Sequence, residues 1–316
     1  MTARGSKSPR QALAGLPAHR QGLLAVTAAA ILWSTGGLFI KWVSLEALGV
    51  TMWRALFALV AIAVMGRAPL PKPWKTGWLG WGLALSYAGT LILFVSATKL
   101  TTAANAIFLQ YTAPLYVLFL GAFLLDERPT RTDLVTVAIA FGGMGLFFVG
   151  RLEARDTAGN LLAVASGVTT ATLFVLLRMP GCTPQMRPQS MVLGNGLLLV
   201  SLFAVNLGRQ DASLFTPGVT DLAALAFLGV VQIGLAYVLF GLGIAHVRAL
   251  EALLIGMLEP VLNPVWVFLA LGEAPGWWAV LGGAIIVTAV GARTVVSERA
   301  SAVVPVPEAA LAGGDP

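Results

Sequence analysis

Two charged residues, Arg54 and Glu259, stand inside long apolar stretches of the chain, where an unshielded charge is costly and therefore suspect as functional. A guanidinium at position 54 can grip a carboxylate through two parallel hydrogen bonds. It can equally cap backbone carbonyls or snorkel to lipid headgroups. Glu259 precedes Pro260, and a proline removes one helix hydrogen bond and frees a carbonyl. A carboxyl beside unpaired backbone can hold an ammonium group or a proton, or it can brace a broken helix. Uncharged polar and aromatic residues recur at similar depth: Trp33, Ser34 and Thr35, then Tyr87, Gln110, Tyr111, Thr169, Thr170, Asn195, Gln232 and Tyr237. An amide facing hydrocarbon is expensive, so Gln110 and Gln232 need a cavity, water or a partner helix. The candidate binding set is Trp33, Ser34, Arg54, Tyr87, Gln110, Tyr111, Asn195, Gln232, Tyr237 and Glu259. It describes a wet central cavity with aromatic walls, suited to amphipathic solutes and cations. Interhelical hydrogen bonding is the other use for each amide.

Other chemistries find little support. The chain has no G-x-S-x-G, H-E-x-x-H or P-loop pattern, so no enzyme is expected. The single cysteine, Cys182, offers neither a disulfide nor a Cys/His metal framework, and neither cofactor nor metal is expected. His19 and His246 have no neighbour in sequence that suggests catalysis, and surface roles are expected for both.

The elements that must position these residues follow from composition. Of 316 residues, 58% are hydrophobic and 11% charged, with a mean hydropathy of +0.85. A soluble domain carries about 25% charged residues, so lipid is the expected solvent for most side chains. Runs of roughly 20 apolar residues can span a bilayer. Cutting at charges, prolines and polar clusters yields ten: 21–41, 47–66, 77–98, 101–125, 134–150, 158–177, 189–208, 221–245, 250–271 and 275–293. The fifth is short. The connections leave no room for a soluble domain. Net charge is +6 and the isoelectric point about 9.9, yet the basic residues lie in short pieces between apolar runs, which speaks for orientation and against nucleic acid. With the N-terminus inside, fourteen of the twenty Lys and Arg fall in cytoplasmic segments and five in outer ones, Lys41, Lys99, Arg151, Arg155 and Arg209, with Arg54 in a span. Both termini are thus expected in the cytoplasm. Trp42, Trp74, Trp78, Trp277 and Trp278 lie near span ends and read as interface anchors.

The two halves resemble each other. APLYVLFLGAFLLDERP at 113–129 aligns with EPVLNPVWVFLALGEAP at 259–275, a constant offset that pairs Pro114 with Pro260, Glu127 with Glu273 and Pro129 with Pro275. Upstream, GLLAV at 22–26 aligns with NLLAV at 160–164. Five spans per repeat force the second copy to enter from the opposite side. The expected fold is all-α and integral to the membrane, ten transmembrane helices in two inverted five-helix repeats. Residues 1–20 form a basic N-terminal tail, 21–150 the first repeat, 151–294 the second, and 295–316 a disordered C-terminal tail. Inverted repeats place a substrate site near the midplane, and paired breaks such as those at Pro114 and Pro260 point to it.

The repeat ends LLDERP and ALGEAP, each after a proline-containing helix, resemble the signature of the drug/metabolite transporter superfamily and its ten-helix EamA branch. LEPVLNPVWVFLALGE at 258–273 is the most specific piece, and WRALFAL at 53–59 fits the family's early arginine. The likeness covers residues 22 to 294. It implies a secondary transporter in a bacterial inner membrane that exports small metabolites, amino acids and aromatic ones among them; protons are one candidate further partner. Export of drugs or lipophilic cations is the alternative, and a membrane enzyme acting on lipid a remote one. The resemblance fixes neither substrate, coupling ion nor oligomeric state.

Overall fold

A computed structural model describes residues 16–69, 71–147, 149, 157–209, 216–272 and 276–303. The described chain is helical: α1 Ala18–Trp33, α2 Gly36–Trp42, α3 Ala47–Met65, α4 Trp78–Leu100, α5 Ala103–Gln110, α6 Ala113–Leu124, α7 Arg131–Phe147, α8 Thr157–Arg178, α9 Met186–Arg209, α10 Val219–Phe227, α11 Ala236–Gly243, α12 Ala249–Gly256, α13 Leu258–Leu271 and α14 Trp277–Val303. A π-helical stretch, Leu228–Leu235, joins α10 to α11. Among the described residues nine of these spans, several built from two consecutive helices, are long and apolar enough to cross a membrane. The tenth is α7, 17 residues long, or about 26 Å at 1.5 Å per residue. It packs along α14, so the fifth and tenth spans pair with each other.

The bundle turns apolar side chains outward as well as inward. Val64, Phe123, Leu161, Val200 and Leu269 are all more than half exposed, which fits a hydrocarbon surround rather than water. Its polar residues point the other way: Ser34, Arg54, Asn105, Asn195, Gln232 and Glu259 are buried. Small residues let the helices close up. A Cβ at Gly167 of α8 would sit 2.7 Å from the Gln110 carbonyl oxygen and one at Gly194 of α9 2.7 Å from the Ala84 carbonyl oxygen, so only glycine permits these approaches.

Four features differ from the sequence reading. The first span is interrupted between α1 and α2 at Ser34 and Thr35, without a proline. His19 is no free tail residue, because its Nε2 lies 3.2 Å from Oε2 of buried Glu251. The last helix runs on through Val303, past the point where a tail was expected. The π-helical stretch has no counterpart in the hydropathy pattern. Arg151, Arg155 and Glu273 lie outside the described residues.

Candidate functional site

The site begins with the two prolines. In a continuous helix the N–H at Pro114 would bond to the carbonyl of Gln110, and that at Pro260 to the carbonyl of Gly256. Proline has no N–H, and each span breaks at the matching place. The fourth span breaks at Tyr111 and Thr112 between α5 and α6, and the ninth at Met257 between α12 and α13. The two breaks meet. Tyr111 Oη lies 2.5 Å from the Gly256 carbonyl oxygen that Pro260 leaves free, and 2.9 Å from Glu259 Oε2. A side chain at the first break thus satisfies the backbone of the second. The freed Gln110 carbonyl lies against Gly167 of α8.

Around this joint is a cavity of about 60 Å³, lined by Trp33, Arg54, Thr90, Leu91, Phe94, Gln110, Tyr111, Thr170, Phe174, Gln232, Tyr237, Leu253, Gly256 and Glu259 among others. At about 10–15 Å³ for each water, it holds a few waters. Anything larger than a few waters needs the surrounding helices to separate.

Arg54 is 3% exposed, and neither its Nε nor its Nη1 has a hydrogen-bond partner. It therefore does not snorkel. It faces Tyr87, Tyr237 and Glu259 within electrostatic reach. Its backbone is held by α3 crossing the π-helical stretch, where Gly229 lies so close that a Cβ would be 2.8 Å from the Arg54 carbonyl oxygen. The same stretch carries Gln232, whose Nε2 donates to the Trp33 carbonyl at 3.3 Å while its buried Oε1 stays unpaired. A π-bulge is a frequent device for presenting a side chain at a functional site. Gln110 Nε2 donates to Ser166 Oγ at 2.8 Å. The aromatic wall is continuous: ring centroids lie 5.0 Å apart for Trp33 and Tyr237, 5.1 Å for Trp33 and Phe240, and 4.4 Å for Phe174 and Phe240.

Seven of the ten residues expected from sequence line this cavity: Trp33, Arg54, Gln110, Tyr111, Gln232, Tyr237 and Glu259. Three stand behind it. Asn195 Nδ2 donates to Tyr87 Oη at 2.8 Å, and the Tyr87 ring meets Tyr237 edge-on with centroids 4.9 Å apart. Ser34 Oγ accepts from Trp266 Nε1 at 2.7 Å. These pairs brace the wall instead of facing the cavity. Sequence reading missed Thr90, Phe94, Phe174 and Gly256. Thr90 Oγ1 lies 3.1 Å from Thr169 Oγ1 across α4 and α8, and only the threonine pair at 169 and 170 hinted at it.

The ends of the bundle differ. Where α1 begins, Asp133 accepts from Arg248 Nη1 at 3.0 Å and from Arg293 Nη2 at 2.8 Å. Glu127 accepts from Arg178 Nη2 at 2.8 Å and from the Ala249 N–H that opens α12 at 3.3 Å. Thr130 and Asp133 cap α7 reciprocally. Cys182 lies at this end, and burial pushes its thiol up despite nearby Arg187, which suits an inert cysteine. At the opposite end Lys41 Nζ donates to the Thr101 carbonyl at 2.9 Å and Lys99 Nζ to that of Val43 at 2.7 Å. Ser44 donates to Asp221, and Arg209 lies 3.2 Å from exposed Glu46.

The model of the EamA-like transporter family matches residues 20–149 and again residues 157–292. An uncharacterized transporter of Archaeoglobus fulgidus is 27% identical over 86% of this chain and 95% of its own. A protein of Salmonella typhimurium, named "Probable amino-acid metabolite efflux pump", is 25% identical over 73% of this chain and 80% of its own. A crystal structure, 22% identical, superposes with a TM-score of 0.71 over 89% of this chain and 98% of that one. At that identity the likeness bears on the fold alone.

Proposed function

As the chain belongs to the EamA-like transporter family, a multi-pass membrane protein family of two transmembrane repeats, we propose that it exports zwitterionic metabolites, amino acids foremost, by alternating access. The observation that carries this reading is the buried Arg54 guanidinium, unpaired at two nitrogens, in one cavity with the Glu259 carboxyl and a continuous aromatic wall. A buried charge short of hydrogen-bond partners is expensive, and a solute carboxylate supplies the missing acceptors in bidentate form. Glu259 and the freed backbone suit the ammonium. Trp33, Phe94, Phe174 and Tyr237 suit an aromatic or aliphatic side chain. The efflux function in the name of the Salmonella relative supports the direction. The excess of Lys and Arg at the end where α1 begins supports a cytoplasmic position for that end, with both termini inside a bacterial inner membrane.

Export of lipophilic cations is the second reading, favoured by the same aromatic wall and by Glu259, but Arg54 would repel such a cargo. Counterflow from proteoliposomes with labelled phenylalanine, leucine and a tetraphenylphosphonium probe separates the two. The amino-acid reading expects exchange of an amino acid in the wild type. It also expects a loss of apparent affinity of tenfold or more in Arg54→Met, since a charge-assisted bond is worth about 1.5–3 kcal/mol. Exchange of the phosphonium alone, improved by Arg54→Met, would replace it with the cation reading.

A further inference from the structure

The hydrogens at the joint between the two breaks make two full bonds, instead of one shared by two acceptors, only if Glu259 carries one. The Gly256 carbonyl can only accept, and Tyr111 Oη lies 2.5 Å from it, so the single hydroxyl proton points there. The same oxygen lies 2.9 Å from Glu259 Oε2. Two oxygens in hydrogen-bond contact need a hydrogen between them, and the Tyr111 proton is already engaged. With Glu259 as a carboxylate, one of the two contacts would press lone pairs together in a buried place, at the cost of an unmade hydrogen bond. With Glu259 as a carboxylic acid both bonds form: the acid donates to Tyr111, and Tyr111 donates to Gly256.

We infer that Glu259 is a proton-binding site that locks the two helix breaks together, and that its proton is the ion exchanged for the solute. The exchange, though not the site, rests on the transport reading above. Glu259 is faced by Tyr111 from the junction of α5 and α6, by Arg54 from α3 and by Tyr237 from α11. Arg54 and the N-terminus of α13 supply positive potential that receives the negative charge when the proton leaves for cavity water. Tyr111 then turns its hydroxyl from Gly256 to the carboxylate. The Gly256 carbonyl loses its partner, and the ninth span is released from the fourth. A solute ammonium can now take the place that the proton held. One carboxyl serves either occupant and not both, so the exchange is obligatory. The joint tolerates little change in shape, because a Cβ at Gly256 would lie 3.3 Å from Tyr111 Oη.

The site is read without any substrate. Infrared difference spectra of the reconstituted full chain across a pH jump should show a protonated-carboxyl C=O band that Glu259→Gln abolishes. Glu259→Asp should retain the band, and Tyr111→Phe, which removes its hydrogen-bond acceptor, should displace it. A spectrum from which Glu259→Gln removes nothing overturns the site. Coupling is read from phenylalanine exchange in acidic and alkaline buffers, with the wild type changing severalfold and Glu259→Asp changing with a displaced midpoint. A wild-type exchange rate indifferent to pH overturns the coupling. A wild type that shows the band but exchanges neither phenylalanine nor leucine leaves the proton site standing and sinks the transport reading.

Discussion

At the end of the bundle where α1 begins, the two halves are tied by charge; at the opposite end they are tied mainly by neutral hydrogen bonds and one exposed pair. Both carboxylates of the first lattice, Glu127 and Asp133, come from the first half, and their partners Arg178, Arg248 and Arg293 all come from beyond residue 157. The His19–Glu251 contact also joins the halves. At the opposite end the two lysine bonds, Lys41 to Thr101 and Lys99 to Val43, stay within the first half. Among the described residues, Ser44–Asp221, the exposed Glu46–Arg209 pair and two neutral contacts, Asn105–Asn160 and Asn206–Met52, cross over there. If the halves rock against each other, the end held by neutral contacts and one exposed pair opens at smaller cost than the end held by the ion pairs of Glu127 and buried Asp133. The structure is thus a latched conformation, closed most firmly on the arginine-rich side, with a cavity that has room for a few waters.

The strongest blow to this contrast is Asp133→Ala. Asp133 is 1% exposed, and its removal strands the buried Arg293 and leaves Arg248 only a distant carboxylate, Glu127, and the Arg128 carbonyl. Breaking a buried pair from one side costs about 3–5 kcal/mol, so thermal unfolding in detergent should begin well below the wild type. Glu127→Ala is milder. It removes the partner of Arg178 and the cap on the first N–H of α12, for about 1–3 kcal/mol. Its clearer effect should be on conformation, with faster hydrogen exchange at the start of α12. The smallest effect belongs to Arg209→Ala. Arg209 and Glu46 are 45% and 60% exposed, and surface pairs are worth about 0–1 kcal/mol. Unfolding should hardly move. An Arg209→Ala change as damaging as Asp133→Ala would erase the difference between the ends.

Much of the fold was legible because hydrocarbon imposes one rule: backbone polar groups must be satisfied within the span. Apolar run length therefore located every helix pair, and Pro114 and Pro260 located two breaks through the missing N–H. The break at Ser34 and Thr35 was not legible, since no proline marks it. It is held by short bonds from Ser34 Oγ to the Ile31 carbonyl and Thr35 Oγ1 to the Leu32 carbonyl. Cavity-lining residues were legible where burial alone is costly, as for Arg54, Gln232 and Glu259. Which polar residues face the cavity was not, because Asn195 Nδ2 donates to Tyr87 Oη across α4 and α9, a pairing that depends on helix rotation. The charge lattice was hidden for the same reason. Arg248 and Asp133 look like ordinary loop charges until the halves are folded together.

The contrast between the ends is tested most directly by a cavity reporter. Thr170 lines the cavity, and Cys182 is the only native cysteine. In a Cys182→Ser background, Thr170→Cys should react with a membrane-impermeant maleimide from the side opposite to the start of α1 and be protected from the other. Adding Glu127→Ala should bring on reaction from the arginine-rich side. Equal reaction from both sides without that change, or none from either side with it, would contradict a solute site reached alternately between two unequally latched ends.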